Sequence, residues 1–472
     1  MIYLLGSMAM GVLGFVNTML LTRMLSQQVY AMYGLLTTFV TAVDLFVAFG
    51  YDQAYMRFYY SHNRTPFGFL WECMKVPAII FAGIAIALLE PGQHLVRYVF
   101  EDKLALMVVL GIIGQVLFSS ISRFSQLTAR MGEFAGNYVI SNFIGRSGFI
   151  FLLVLFSFLV EDLSFGMVVL SSMSMSIVSV GVTGLVFRKL GNAKNPEGKP
   201  VTNKELVHYG FPYMLNNVIV LLIPMLEKVI VRDLAGWEVL SIYTAASVFQ
   251  TVVLLLVNML NNVWHPIVYQ HCDDEARFKP ILHTFGLTGM MIAALGTAAC
   301  ILLRRWLVLL LDAKYYIVYM IAPCILLAAC FNILSVIYAV GINITKKTMH
   351  FVIAPILQIV LSVTLCYLLI PRMGLQGVAL AVLISVGISH FYRIVVGLKL
   401  YGTGVSEAKT FLLCGICTAG AVSAMFLTDL LTDVLISAGL ITAMVIVINK
   451  ELLAVAKSAL ALVKPNKEKD AQ

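Results

Sequence analysis

Long apolar stretches of about twenty residues recur along this 472-residue chain, and they constrain its fold more than any other feature. Each stretch can cross a hydrocarbon layer about 30 Å thick as a helix, whose backbone hydrogen bonds close internally. Only 12% of the residues are charged, whereas globular domains carry about 25%, so charged side chains are too few to cover a soluble protein. We therefore predict an all-α, polytopic membrane protein.

Charged residues, glycines, prolines and asparagines mark the ends of these stretches and divide them into about fourteen predicted transmembrane helices. We expect the first stretch, from Ile2 to Leu21, to be helix 1 rather than a cleavable signal, because it lacks a basic start. In chain order, the predicted spans are 2–22, 33–54, 75–90, 104–124, 138–160, 166–187, 207–230, 240–264, 281–303, 315–341, 349–370, 376–398, 409–428 and 431–449.

Lysine and arginine are distributed unevenly between the loops on the two sides of the predicted membrane. About two thirds of the 32 lie in or beside loops that follow even-numbered spans, or in the C-terminal tail. Because positive charge is retained on the cytoplasmic side, we expect both termini to be cytoplasmic.

A polar segment and a weak internal repeat divide the chain into two halves. A shift of 210 residues places Tyr33 on Tyr243 and Tyr59 on Tyr269, and such repeats are related by an axis along the membrane normal. We predict an N-terminal lobe of helices 1–6 (1–190), a cytoplasmic linker (191–206), a C-terminal lobe of helices 7–12 (207–400), and helices 13–14 with a basic cytoplasmic tail (401–472).

Asp44 and Arg146 are ionisable residues inside predicted spans, where a charge is costly and is usually functional or internally paired. One interpretation makes Arg146 a phosphate-binding cation and Asp44 a proton or sodium site. The other pairs the two side chains as a structural ion bridge. The sequence leaves both interpretations open.

Six further charged residues lie near the ends of predicted helices. Arginine suits phosphate because its planar fork donates two parallel hydrogen bonds, and lysine adds a point charge. A ring of such basic side chains around a cavity would select a substrate with an anionic group. The alternative interpretation is that each charged side chain extends to the membrane interface and binds no substrate. The candidate anion-binding residues are Arg23, Arg57, Arg123, Arg146, Lys228 and Arg232, and the candidates for a coupling ion are Asp44 and Glu227.

The motifs of soluble catalytic sites are absent from the sequence: there is no nucleotide-binding loop, no paired-carboxylate glycosidase site and no nucleophile with its base. We therefore expect a transporter rather than an enzyme, with no catalytic residue, metal, cofactor or nucleic-acid partner, and with coupling to a proton or sodium gradient left open. A glycosyltransferase or polymerase would need a catalytic carboxylate or a long outer loop. A scaffold protein would leave Asp44 and Arg146 unexplained.

Several segments resemble a known transporter family over nearly the whole chain. In the first half they are 20–26 (Leu-Leu-Thr-Arg-Met-Leu-Ser), 33–34 (Tyr-Gly), 49–54 (Phe-Gly-Tyr-Asp-Gln-Ala) and 57–59 (Arg-Phe-Tyr). In the second half they are 209–212 (Tyr-Gly-Phe-Pro), 243–246 (Tyr-Thr-Ala-Ala), Pro266, 341–348 and 371–379. With these motifs the chain resembles the polysaccharide-transporter branch of the multidrug/oligosaccharidyl-lipid/polysaccharide superfamily, which includes Wzx-type repeat-unit flippases. It departs from the family's usual Asp at the end of helix 7, where it has Glu227.

The resemblance implies two pseudo-symmetric six-helix lobes plus two C-terminal helices in the bacterial cell (inner) membrane. It also implies a flippase that moves an undecaprenyl-pyrophosphate-linked oligosaccharide repeat unit by alternating access, for O-antigen, capsule or exopolysaccharide synthesis. The candidate basic residues would then bind the pyrophosphate and acidic sugars, and membrane lipids and polysaccharide polymerase machinery are expected partners. The alternative is a cation-coupled multidrug or metabolite exporter on the same fold, which would need acidic residues in its cavity.

Overall fold

The protein is predominantly helical in the part of the chain that its computed structural model describes, namely residues 2–60, 65–89, 92–100, 105–131, 135–160, 162–187, 201–271, 275–345, 347, 349–401 and 407–463. The helices are α1 Ile2–Met24, α2 Gln27–Ala48, α3 Tyr51–Phe58, α4 Pro66–Leu89, α5 Gly92–Phe100, α6 Ala105–Met131, α7 Ala135–Leu159, α8 Phe165–Phe187, α9 Asn203–His271, α10 Glu275–Val308, α11 Val318–Tyr338, α12 Val340–Ile344, α13 His350–Met373, α14 Leu375–Tyr401, α15 Glu407–Phe426 and α16 Leu430–Val463, with a 3-10 turn at Ala313–Tyr315.

This architecture confirms the predicted class, an all-α polytopic membrane protein. Within the described ranges, eleven helical segments are long and apolar enough to cross a membrane. One of them lies in α9, which is interrupted at Gly236 by non-helical backbone (φ 82°, ψ 175°) and so contains two of the predicted spans. Every predicted span overlaps a helix of the structure.

Two predicted boundaries are wrong for identifiable reasons. The span 33–54 is broken where Phe49 and Gly50 adopt left-handed backbone (φ 48° and 74°), so α2 ends there and the short helix α3 begins. The span 75–90 begins nine residues too late, because α4 starts at Pro66. In its first half, Lys75 donates to Glu72, three residues before it, at 2.8 Å, a pair that adds a few tenths of a kcal/mol, roughly, to the helix.

The chain forms two compact units, residues 1–245 and 246–472. The first unit includes α1 to α8 and the part of α9 up to residue 245, so helix 7, which the sequence assigned to the C-terminal lobe, packs within it. Part of the predicted linker, residues 191–200, lies outside the described residues. The division into two six-helix lobes stays a prediction.

The hairpin of α13 and α14, in the second unit, depends on two glycines of the segment 371–379. Gly374 has a positive φ of 55° at the end of α13, and a Cβ built on Gly377 would lie 2.5 Å from the carbonyl oxygen of Leu369. Gly374 therefore forms the turn between the two helices, and Gly377 allows their close approach.

Gly377→Val is expected to lower the thermal unfolding temperature of the detergent-solubilised protein by several degrees. The added side chain would meet backbone that cannot give way, and overpacking of this kind costs about 1 to 3 kcal/mol. The matched control is Gly415→Val, because Gly415 has open space around its Cβ position. Equal unfolding temperatures for the two variants would contradict the close approach.

Candidate functional site

Two adjoining polar cavities lie in the first unit. The Asp44 cavity has a volume of about 320 Å³ and is lined by Asp44, Ser119, Ser122, Arg123, Gln126, Leu127, Asn142, Met175, Ser176 and Ser179. The Arg146 cavity has a volume of about 350 Å³ and is lined by Asn17, Tyr33, Thr37, Val40, Thr41, Gln115, Ser119, Arg146, Phe149, Ser172, Met175 and Ser176. The two cavities share Ser119, Met175 and Ser176, so they form one polar region inside a membrane protein.

The polar lining follows from helical spacing in three otherwise apolar helices. Residues three or four positions apart lie on the same face of a helix, and polar faces in a membrane protein turn toward a cavity or the bundle interior. The three polar faces are Thr37, Thr41 and Asp44 on α2; Gln115, Ser119, Ser122 and Gln126 on α6; and Ser172, Ser176 and Ser179 on α8.

The carboxylate of Asp44 is buried and fully engaged by α6. Ser120 donates to its Oδ1 at 2.6 Å, while Ser119 and the Nε of Arg123 donate to its Oδ2, each at 3.1 Å. A second guanidinium nitrogen of Arg123 also bonds Oδ2, and Asp52 lies 4.0 Å from Arg123. Asp44 therefore holds Arg123 at the wall of the Asp44 cavity.

The structural alternative from the sequence, an ion bridge between Asp44 and Arg146, is wrong. Asp44 pairs with Arg123, and Arg146 lines the neighbouring cavity instead. Sequence spacing places each residue along its own helix but does not show which helices are neighbours. The ion pair between Asp44 and Arg123 therefore depends on how the helices pack, which no local sequence pattern shows.

Arg146 lies in the Arg146 cavity beside α1 and α2. Gly14 of α1 leaves room for the guanidinium, since a Cβ there would be 3.2 Å from Nη1 of Arg146. Tyr33 stacks on Phe149 at a centroid distance of 5.5 Å and forms another part of the wall. The side-chain oxygens of Asn17 and Gln115 are buried and, within the described chain, have no hydrogen-bond partner. The cavity thus combines a cation with amide oxygens that are available to accept hydrogen bonds.

Three of the candidate residues near the break of α9 are buried in internal contacts rather than extended to an interface. Lys228 donates to the carbonyl oxygen of Gly34 and to Thr38 Oγ1, both at 2.7 Å. Arg232 donates to the Tyr98 carbonyl at 2.7 Å and pairs with Asp233, and Glu227 accepts from Tyr243 at 2.9 Å. These three residues line neither cavity, and their part in binding or ion coupling stays a prediction.

Arg23 and Arg57 have exposed side chains, in the last turns of α1 and α3. This exposure agrees with the interpretation in which a long cationic side chain extends to the membrane interface. The structure therefore brings together three of the sequence candidates, Asp44, Arg123 and Arg146, and leaves the other five outside the cavities.

Sequence reasoning missed three charged residues of the second unit, the buried Arg304 and Asp433 and the partly buried Arg393. Arg304 and Asp433 form a fully buried ion pair between α10 and α16, with an Nη2–Oδ1 distance of 2.5 Å. Arg393 lines a separate pocket in the same unit. Both Asp433 and Arg393 fall inside predicted spans, at 431–449 and 376–398, so the criterion that selected Asp44 and Arg146 would have found them.

Comparisons with known proteins identify both a sequence family and a fold. A family model described as "Polysaccharide biosynthesis protein" matches residues 1–271. No curated protein sequence matches the chain. A solved structure of the lipid II flippase MurJ, in an inward closed conformation, is 14% identical with a TM-score of 0.67, and the match covers 95% of this chain and 99% of that one. An inward-facing multidrug resistance MATE family transporter of the MOP superfamily is 12% identical with a TM-score of 0.66, covering 84% and 96%.

Proposed function

The chain belongs to the polysaccharide biosynthesis protein family, and from this premise we propose that it is a flippase for a lipid-linked oligosaccharide. Its cargo would be an undecaprenyl-pyrophosphate-linked repeat unit, carried across the bacterial cell membrane from the cytoplasmic to the outer leaflet by alternating access. Both termini would be cytoplasmic. The proteins of similar fold include a lipid II flippase, which makes a lipid-linked sugar a reasonable class of cargo for this fold.

The observation that carries the proposal is the polar region of the first unit, with Arg123 and Arg146 at its walls. A diphosphate is a strong acceptor for guanidinium groups, whose planar fork donates two parallel hydrogen bonds. The free amide oxygens of Asn17 and Gln115 suit the hydroxyl groups of a sugar. Cation and amide oxygens in one membrane-embedded space therefore fit a sugar joined to a diphosphate.

A cation-coupled exporter of drugs or metabolites is the alternative on the same fold. That function needs a carboxylate free to bind a cation or proton within the cavity. Among the residues that line the two cavities, Asp44 is the one carboxylate, and Arg123 already neutralises it. The charge of this region therefore supports an anionic cargo.

A strain that lacks the gene should accumulate lipid-linked repeat units on the cytoplasmic face, and the wild-type gene should clear them. Arg146→Ala is expected to lower the rate of clearance about 10- to 150-fold, because a hydrogen bond to a charged group contributes about 1.5 to 3 kcal/mol. Extraction of the lipid fraction and measurement of the face on which the glycan is accessible would give this rate.

The matched control is Arg97→Ala, which removes an exposed arginine of α5 in the same unit. It should leave clearance unchanged. Wild-type clearance with no effect of Arg146→Ala would contradict the cationic site. No accumulation in the deletion strain, together with a fall in small-molecule efflux, would favour the exporter.

A further inference from the structure

The second unit contains a small polar pocket that is separate from the two cavities described above. Its volume is about 220 Å³, and α9, α11, α12, α13 and α14 contribute to it. Asn261, Ser335, Asn343 and Arg393 supply its polar groups, and Phe351 supplies an aromatic wall. Since one water molecule occupies about 30 Å³ of liquid, the pocket has room for a phosphate or diphosphate group.

Arg393 is the cation of this pocket, and no counter-ion for it lies among the described residues. Across the residues that the structure describes, no carboxylate lies within ion-pair distance of Arg393, and its Nε is buried without a hydrogen-bond partner. Its guanidinium lies over the ring of Phe351, 5.7 Å from the centroid. A half-buried cation that is compensated by an aromatic face lacks a partner of opposite charge, and an anion in the pocket would supply it.

The packing of two glycines directs Arg393 toward the pocket. A Cβ on Gly397 of α14 would collide with the carbonyl oxygen of Tyr338, and a Cβ on Gly341 of α12 would collide with that of Gly397. The backbones of α14 and of the α11–α12 segment are therefore in direct contact. Arg393 precedes Gly397 by one helical turn, so it lies on the same face of α14 and is turned toward Ser335 and Asn343.

We propose that Arg393 is the centre of a second anion-binding site, which takes a phosphate or diphosphate group. Asn343 and Asn261 have side-chain amides that can donate to further phosphate oxygens. The loop after α12 belongs to the side that the charge distribution predicts to be cytoplasmic, so the site opens near the inner leaflet. The source of the phosphate, as the diphosphate of a polyprenyl lipid carrier, rests on the proposed flippase function.

Native mass spectrometry of the full-length, detergent-solubilised protein tests the site with two probes, inorganic pyrophosphate and undecaprenyl diphosphate. The wild-type protein should bind two molecules of either probe, one in each unit. Arg393→Gln should weaken one of the two binding events at least tenfold, and Arg393→Lys about threefold, because lysine keeps the charge but loses the planar fork. Lys399→Gln removes the same charge from an exposed position of α14 and should leave both events unchanged.

A second variant keeps the test decisive if Arg393→Gln fails to fold. Asn343→Leu retains Arg393 but narrows the pocket, and it should weaken the same binding event. Unchanged binding of both probes to folded Arg393→Gln would overturn the proposal. Loss of pyrophosphate binding with unchanged lipid binding would support an anion site and overturn the lipid assignment. Failure of the flippase itself would appear separately, as wild-type protein that does not clear lipid-linked repeat units.

Discussion

Arg304→Ala is expected to lower the free energy of unfolding by about 3 to 5 kcal/mol, the usual cost of removing one partner from a buried ion pair. Arg304 and Asp433 are both fully buried, so the remaining carboxylate would have no solvent to compensate it and would keep the longer contact from the partly exposed Arg305, whose Nε lies 3.3 Å from its Oδ2. Arg304 also donates to the carbonyls of Leu427, at 2.8 Å, and Ala424, which are at or just beyond the C-terminal end of α15. One side chain thus joins α10, α15 and α16.

Unfolding in mixed micelles titrated with SDS would measure this loss. The matched control is Arg372→Ala, since Arg372 is exposed on α13 and, within the described ranges, donates only to Leu368 of its own helix, at 3.4 Å. The double variant Arg304→Met with Asp433→Leu should recover part of the loss, because neither fully buried charge remains and Arg305, which loses the carboxylate, is partly exposed to solvent. Recovery should be incomplete, since two carbonyls lose their donor. Wild-type stability of Arg304→Ala would show that the pair contributes nothing.

Asp44→Asn is expected to lower the translocation rate of the proposed cargo, a lipid-linked oligosaccharide, about a hundredfold, which is about 2.7 kcal/mol in the activation free energy. The amide cannot neutralise Arg123, whose position at the wall of the Asp44 cavity depends on the carboxylate. Released from Asp44, the guanidinium would turn toward Asp52, which is now 4.0 Å away. The translocation rate is therefore expected to fall because the guanidinium of Arg123 is no longer held at the wall of the cavity.

A double-mutant cycle separates this role from the coupling-ion role that the sequence suggested for Asp44. If Asp44 acts by holding Arg123, then Asp44→Asn, Arg123→Gln and the double variant should all translocate at about the same reduced rate. If Asp44 binds a coupling ion independently, the two losses should multiply. Asp162→Asn, a change of the same kind at an exposed loop position, is the control and should translocate at the wild-type rate. Translocation rates in proteoliposomes provide the comparison.

The sequence predicted the class of fold well because transmembrane helices are encoded locally. A run of apolar residues and its charged ends lie within one stretch of chain, so even the turn at Gly374 and the contact at Gly377 were predictable. The left-handed backbone at Phe49, where α2 ends, could not be predicted. Phenylalanine rarely adopts this conformation, and the neighbouring residues do not indicate a helix end.

The sequence predicted candidate residues of the site but not which side chains contact each other. Asp44 and Arg146 stand out because ionisable groups are rare inside spans. Their partners come from other helices: Arg123 is 79 positions from Asp44, and Gly34 is 194 positions from Lys228. Contacts at such separations depend on which helices are neighbours, and a single sequence does not contain that information.

The ion pair of Arg304 and Asp433 has a consequence for biogenesis, because its two members are 129 positions apart in the chain. At a synthesis rate of about 5 to 20 residues per second, roughly 6 to 26 s pass between translation of the arginine and of its aspartate. During that interval Arg304 of α10 has no aspartate partner and remains at the translocon or the lipid interface. A ribosome that stalls before α16 would leave an uncompensated cation in the membrane, so quality-control proteases should recognise such truncated chains.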